Sequence, residues 1–141
     1  MPAPPKIAPQ KIAPQKSALI VHPDVGVLSQ LQGELTKNGL TAILARDLPS
    51  ALLAINQHYF EFALVNAKIS EEGDGWSLAG ILRLVFPRIF TTMIAPQTDV
   101  LTLRSAINSG VDEVLESSAT PASIAKALLQ REAPPAGSRV Q

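Results

Sequence analysis

Few residues in this chain are of types that do chemistry, and the most suggestive stand at His22-Pro23-Asp24, at Asn66 and in the acidic run Glu71-Glu72-Gly73-Asp74. His22 with Asp24 pairs one imidazole with one carboxylate, the beginning of a site for a softer metal but well short of a ligand set. The plain alternative is that His22 caps the end of a strand. The acidic run would attract a cation or a basic partner, or serve only as a solvated loop. A hydrolase is not supported, because neither His22 nor His58 has a serine partner in a fitting motif and there is no nucleophile elbow. His58, near the end of a helix, reads as a solvated residue that suits the helix dipole. With no cysteine, thiolate metal sites, disulfides and cysteine nucleophiles are excluded.

Phosphate binding fares no better. The turn His22-Pro23-Asp24-Val25-Gly26-Val27 has one glycine and a proline that lacks an amide hydrogen, so it cannot cradle phosphate with backbone donors. Neither a dinucleotide fingerprint nor a phosphate-binding loop with its lysine occurs anywhere, and a hydroxyl-rich flavin phosphate loop is missing as well. No cofactor is implied.

The elements that must position these residues emerge once the ends are set aside. Seven of the twelve prolines lie within residues 1–16 and 133–141. The first of these segments repeats Lys-Ile-Ala-Pro-Gln at 6–10 and 11–15, and reads as a disordered arm: a short docking peptide or a plain spacer. Residues 133–141 read as a flexible tail, which leaves a domain at 17–132. The net charge of zero divides with them, since these 116 residues hold 8 basic and 12 acidic side chains. An acidic domain argues against nucleic acid as a partner. No stretch of eighteen apolar residues exists and no apolar segment follows the first lysines, so neither a membrane span nor a signal peptide is expected, and the cytoplasm is the expected compartment.

Within the domain, short apolar runs alternate with amphipathic segments. Ala18–Val21, Leu40–Ala45, Phe62–Val65, Ile89–Ala95 and Val114-Leu115 read as strands. Between and after them, helices are predicted over 24–38 with Asp24 as N-cap, Asp47–Tyr59 with an inward stripe of Ala51, Leu52, Ile55 and Tyr59, Ser77–Val85, Asp99–Ser109, and from Thr120-Pro121 onward. Strands apolar throughout, each followed by a helix, predict an α/β fold: a doubly wound, five-stranded parallel sheet with five helices. The other five prolines, Pro23, Pro49, Pro87, Pro96 and Pro121, all fall at junctions. Sites in such sheets form beyond the carboxyl ends of the strands. That directs attention to Val21–Asp24, Asn66–Gly75, Ile94–Thr98 and Leu115–Thr120. Trp76, the one tryptophan, is expected to anchor the start of the third helix on the core or, if exposed, to meet a partner.

Over about residues 17–131 the sequence resembles the receiver domain of bacterial response regulators. The resemblance rests on Ala18-Leu-Ile-Val21 before the turn, Phe62-Ala-Leu-Val-Asn66 before a loop holding Asp74-Gly75, and Phe86-Pro87 before the fourth strand. The run Ala106-Ile-Asn-Ser-Gly-Val-Asp-Glu-Val-Leu115 and the pair Thr120-Pro121 complete it. It implies the strand order 2-1-3-4-5. It also implies a phosphoacceptor pocket, and there this chain departs from the family at every position. The magnesium-binding acid pair falls on His22 and Pro23, with Asp24 the nearest carboxylate; the phosphoacceptor aspartate falls on Asn66, the hydroxyl on Ile94, and the lysine-proline pair on Ser117-Ser118. The aromatic of the family's switch falls on Val114.

An asparagine amide cannot form an acyl phosphate, and magnesium prefers several hard oxygen ligands, of which one carboxylate remains. Anion, hydroxyl and cation are replaced together, so no lone buried charge is left behind. The expected function is therefore that of an atypical receiver: a signalling and interaction module independent of phosphorylation, without enzymatic activity and with no bound metal. Its partners would be proteins of a bacterial signalling pathway. They would meet the face built from the fourth helix, fifth strand and fifth helix, where Leu103, Ile107 and Val114 are the candidate contacts or else core residues; a homodimer through this face is a further expectation. The alternatives are a small-ligand sensor using the same pocket, or a regulatory adaptor of a larger assembly such as a pilus or secretion ATPase system. An open crevice at the strand ends would favour the sensor, and one plugged by Ile94 would not.

Overall fold

The computed structural model describes residues 16–70 and 74–132. Nearly all of the arm at 1–16, the tail at 133–141 and the acids Glu71 and Glu72 lie outside the described residues.

Ten elements alternate along the chain: β1 (Ser17–Val21), α1 (Val25–Lys37), β2 (Thr41–Ala45), α2 (Leu48–Gln57), β3 (Phe62–Asn66), α3 (Gly75–Val85), β4 (Phe90–Ala95), α4 (Val100–Ser109), β5 (Glu113–Glu116) and α5 (Pro121–Glu132). The strands form one parallel sheet in the order β2-β1-β3-β4-β5, as expected. Each face of the sheet is covered. Ala18, Ile20, Leu64 and Ile94 pack with Leu28, Leu31 and Leu35 of α1 and Ile124 and Leu128 of α5. On the other face Leu19, Val21, Val65 and Met93 pack with Ala51 and Ala54 of α2 and Leu78 and Leu82 of α3. Strand residues alternate between the two layers because successive side chains of a strand point to opposite faces.

The boundaries follow from local chemistry. Asp24, Asp47 and Asp99 each sit in extended backbone ahead of a helix, and their carboxylates accept amide hydrogens from the first turn: Gly26 and Val27, Ser50, and Thr102 respectively. Thr120 serves α5 through its hydroxyl, which accepts from Ser123 N at 3.1 Å. At the other ends, Gly39 (φ 85°) and Gly110 (φ 76°) take the left-handed conformation that stops α1 and α4. The Arg83 guanidinium then donates to the Gly110 carbonyl at 2.8 Å and lies 3.7 Å from Asp112, tying α3 to the turn before β5.

Two expectations need correction. The second helix ends at Gln57, and Tyr59 is exposed beyond it. Leu52 also faces outward, and Ala54 occupies the core in its place. α2 presents Ala51 and Ala54 to the sheet, with Leu48 and Ile55 packed against the same layer, while Leu52 and Leu53 face outward.

Thr91 and Thr92 stand side by side in the central part of β4, both 1% exposed, and neither hydroxyl has a hydrogen-bond partner. Burying an unsatisfied hydroxyl costs free energy that an apolar side chain of the same shape does not. Thr92→Val, and separately Thr91→Val, should therefore stabilise the fold by about 1 kcal/mol, read as a higher urea midpoint at unchanged slope.

Candidate functional site

The parallel register brings the carboxyl ends of the strands to one level. Val21 is opposite both Ala45 and Val65, Asn66 is opposite Ile94, and Ile94 is opposite Leu115. Beyond the last paired residues the backbone continues the ladder. His22 N donates to Ala45 O (3.1 Å), Ala67 N to Ile94 O (2.8 Å) and Ser117 N to Ala95 O (2.8 Å). His22, Asn66, Ile94 and Ser117, far apart in sequence, thus come together along one edge.

At that edge each side chain has a settled occupation. His22 is half-buried, and its Nδ1 accepts the Asp24 amide hydrogen at 3.0 Å. Nδ1 is thus the unprotonated nitrogen of a neutral imidazole. Burial holds its pKa below the ordinary 6.5, a lowering that the Asp24 carboxylate partly offsets. Pro23 is exposed and offers no side-chain ligand. Asp24 spends Oδ1 on two amides of α1, Gly26 at 2.8 Å and Val27 at 3.3 Å. Asn66 turns its amide into its own loop, where Nδ2 donates to Lys68 O at 2.7 Å. An aspartate could not make that bond, because a carboxylate has no hydrogen to give. Ile94 is 3% exposed and belongs to the core layer beneath α1 and α5, so an apolar side chain fills the place expected for a hydroxyl. Ser117 is exposed.

The loop after β3 is held by a close backbone approach. Gly75 N donates to Ala67 O at 3.1 Å, and a Cβ added at Gly75 would lie 2.1 Å from the Asn66 carbonyl oxygen and 2.7 Å from that of Ala67. Only glycine fits there without moving the backbone that carries Asn66. Trp76, next in the chain, is half-buried against the core layer beneath α2 and α3, as an anchor for α3.

A receiver site implies a magnesium ion held by carboxylates, and the residues present do not fit one. Among the described residues no three His, Asp or Glu side chains converge in a way that could hold a metal ion. A side-chain link that the sequence pattern did not single out does cross this edge, from Thr98 Oγ1 to Glu116 Oε2 at 3.4 Å. Its residues lie within the expected strand-end segments, but no motif marks them.

The expected partner residues divide by exposure. Leu103 and Ile107 stand on the surface of α4, Ile107 at 79% exposed, so the core reading does not hold for them. Val114 is half-buried and reaches the core layer beneath α2 and α3. Together with Thr98, Ala106 and Val111 these three line a shallow groove of about 340 Å³ between α4 and β5.

No family model matches this sequence, and no curated protein matches it. Solved structures do match the fold. A CheY-like response regulator receiver domain protein from Methanospirillum hungatei JF-1 superposes with a TM-score of 0.76 at 19% identity, covering 84% of this chain and 94% of that one. A two-component response regulator from Clostridium difficile gives 0.74 at 24% identity, over 83% and 94% of the two chains. A response regulator from Burkholderia pseudomallei, solved with a phosphorylated aspartic acid, a calcium ion and citrate, gives 0.71 at 22% identity over 84% and 74%. The chain therefore has the receiver fold, a flavodoxin-like arrangement. Among the described residues no helix is long and apolar enough to cross a membrane.

Two measurements test this site. Gly75→Ala should destabilise the fold by roughly 1–3 kcal/mol through overpacking, seen as a lower urea midpoint. For His22, a pKa lowered by folding means that the unfolded chain takes up the proton more readily. Its contribution is then complete above pH 6.5 and is lost as the pH falls below that value. The lowered carboxylates Asp47 and Asp99 act only below their ordinary 3.8, so the windows are separate. His22→Asn should flatten the fall in thermal midpoint between about pH 7 and pH 5.

Proposed function

We propose that this chain is a phosphorylation-independent receiver: a signalling module of a two-component-type pathway that acts by binding proteins and has no catalytic step of its own. The observation that carries this reading is the hydrogen bond from Asn66 Nδ2 to Lys68 O, which commits the phosphoacceptor position to an amide donor. The surrounding side chains support it. Phosphoryl transfer relies on cation stabilisation and in-line positioning, and a neutral imidazole, a proline, a helix-capping aspartate, a buried isoleucine and a serine supply neither. The phosphorylated aspartate of the Burkholderia protein has no counterpart in an asparagine.

The binding surface in this reading is the α4–β5 groove. Leu103 and Ile107 offer apolar contacts, and Asp112, ion-paired with Arg83, and Glu113 line the side toward β5, with Glu116 beyond them, so this side is acidic. Such a surface suits a protein partner with an apolar anchor and basic residues around it. The same acids would face one another in a symmetric homodimer through this face, so the partner favoured here is a different protein. A pathway of this kind operates in the cytoplasm of a bacterium, which is the compartment the reading implies. The burial of Ile94 in the core layer beneath α1 and α5 favours interaction over small-ligand sensing, since packing takes up the side chain at this position.

Incubating the full chain with acetyl phosphate and magnesium tests the reading, with intact mass and Trp76 emission followed together. Neither should change. A species heavier by one phosphoryl group, absent from the Asp24→Asn variant, would contradict it.

A further inference from the structure

We infer that the outer face of α2 and α3 is a self-association surface on which two copies of this chain meet. The starting observation is a second apolar face on the outside of these helices. α2 turns Ala51 and Ala54 toward the sheet, while Leu52 and Leu53 face outward, Leu53 at 57% exposed. α3 does the same in part: Leu78, Ala79 and Leu82 are buried, yet Leu84 is 83% exposed with Val85 half-exposed beside it. Pro49, Leu52, Leu53 and Asn56 on one helix and Ile81 and Val85 on the other line a groove of about 570 Å³, with Leu84 exposed beside it. Contiguous exposed apolar side chains of this kind mark a contact surface.

Charge selects the occupant. α2 contains no charged residue, and the single one in α3, Arg83, is turned away to Gly110 and Asp112. A charged partner would find nothing to pair with here. A twofold contact brings each residue near its own copy, so it is disfavoured wherever like charges meet across the axis. The α2–α3 face is the one pair of helices on this domain that avoids that penalty, since α1, α4 and α5 all carry charged residues. The helices of 10 and 11 residues span about 15 Å each, which sets a small interface.

Sedimentation of the full chain, from a few micromolar to a few hundred micromolar, tests this. A monomer–dimer equilibrium is expected. Leu53→Glu and Leu84→Glu should weaken it at least about tenfold, a cost of about 1.4 kcal/mol, while Ile107→Glu on α4 leaves it unchanged. Both leucines are exposed, and unchanged circular dichroism and thermal midpoint will show that the variants fold. Because the chain has no cysteine, Leu84→Cys adds its only thiol, and a short bismaleimide should join two copies of that variant but not of Ile107→Cys. A chain that stays monomeric throughout overturns the inference. So does a dimer indifferent to both glutamates, or one broken by Ile107→Glu.

Discussion

Three backbone hydrogen bonds at the carboxyl edge of the sheet position the residues of the strand-end site. A parallel strand cannot close its end with a hairpin, so its last groups must find partners on neighbouring strands. Here His22 N, Ala67 N and Ser117 N reach the carbonyls of Ala45, Ile94 and Ala95. These bonds extend the ladder one residue past the strands, joining β1 to β2, and both β3 and β5 to β4, while the pairing of β1 with β3 brings the two groups to one level. The close approach of Gly75 to the carbonyls of Asn66 and Ala67 then holds the start of α3 against the end of β3. The frame is that of a phosphoacceptor site; the side chains mounted on it are not.

Their neutrality has an energetic logic. Taking charged groups out of a partly buried cluster one at a time leaves the remainder unpaired, which is costly, whereas replacing the set together need not destabilise. His22 held neutral by burial, Asn66 closed on its own loop, Ile94 in the core and Ser117 in solvent form such a set. Asp24, the carboxylate retained in the turn, is used to start α1. The edge is thus held by local hydrogen bonds, and large exposed apolar side chains stand elsewhere, on α2, α3 and α4.

Most of the fold was legible in the sequence because its signals are local. Asp24, Asp47 and Asp99 announce their helices by the capping chemistry they perform, Asn38-Gly39 and Gly110 stop theirs through backbone conformation, and the prolines sit where no amide hydrogen is needed. The site positions were legible too, since strand ends follow from strand boundaries. What periodicity could not decide was which of two apolar stripes faces inward. On α2 the stripe Ala51, Leu52, Ile55 and Tyr59 competes with Leu48, Ala51, Ala54 and Ile55, and the sheet selects the second, in which small residues let the helix pack closely. Periodicity leaves the position of Leu103 and Ile107 undecided in the same way. The partnerless hydroxyls of Thr91 and Thr92 have no local signature at all, and neither does the bond from Asn66 to Lys68.

The central claim is that the strand-end edge is a neutral, settled structure and not a phosphoryl switch. Amide chemical shifts of His22, Asn66, Ile94 and Ser117, recorded by NMR while magnesium and beryllofluoride are added, test it most directly. The account predicts no saturable movement of these four signals. Saturable shifts at Asn66 and Ser117 that spread to Leu103 and Ile107 of α4 would contradict it.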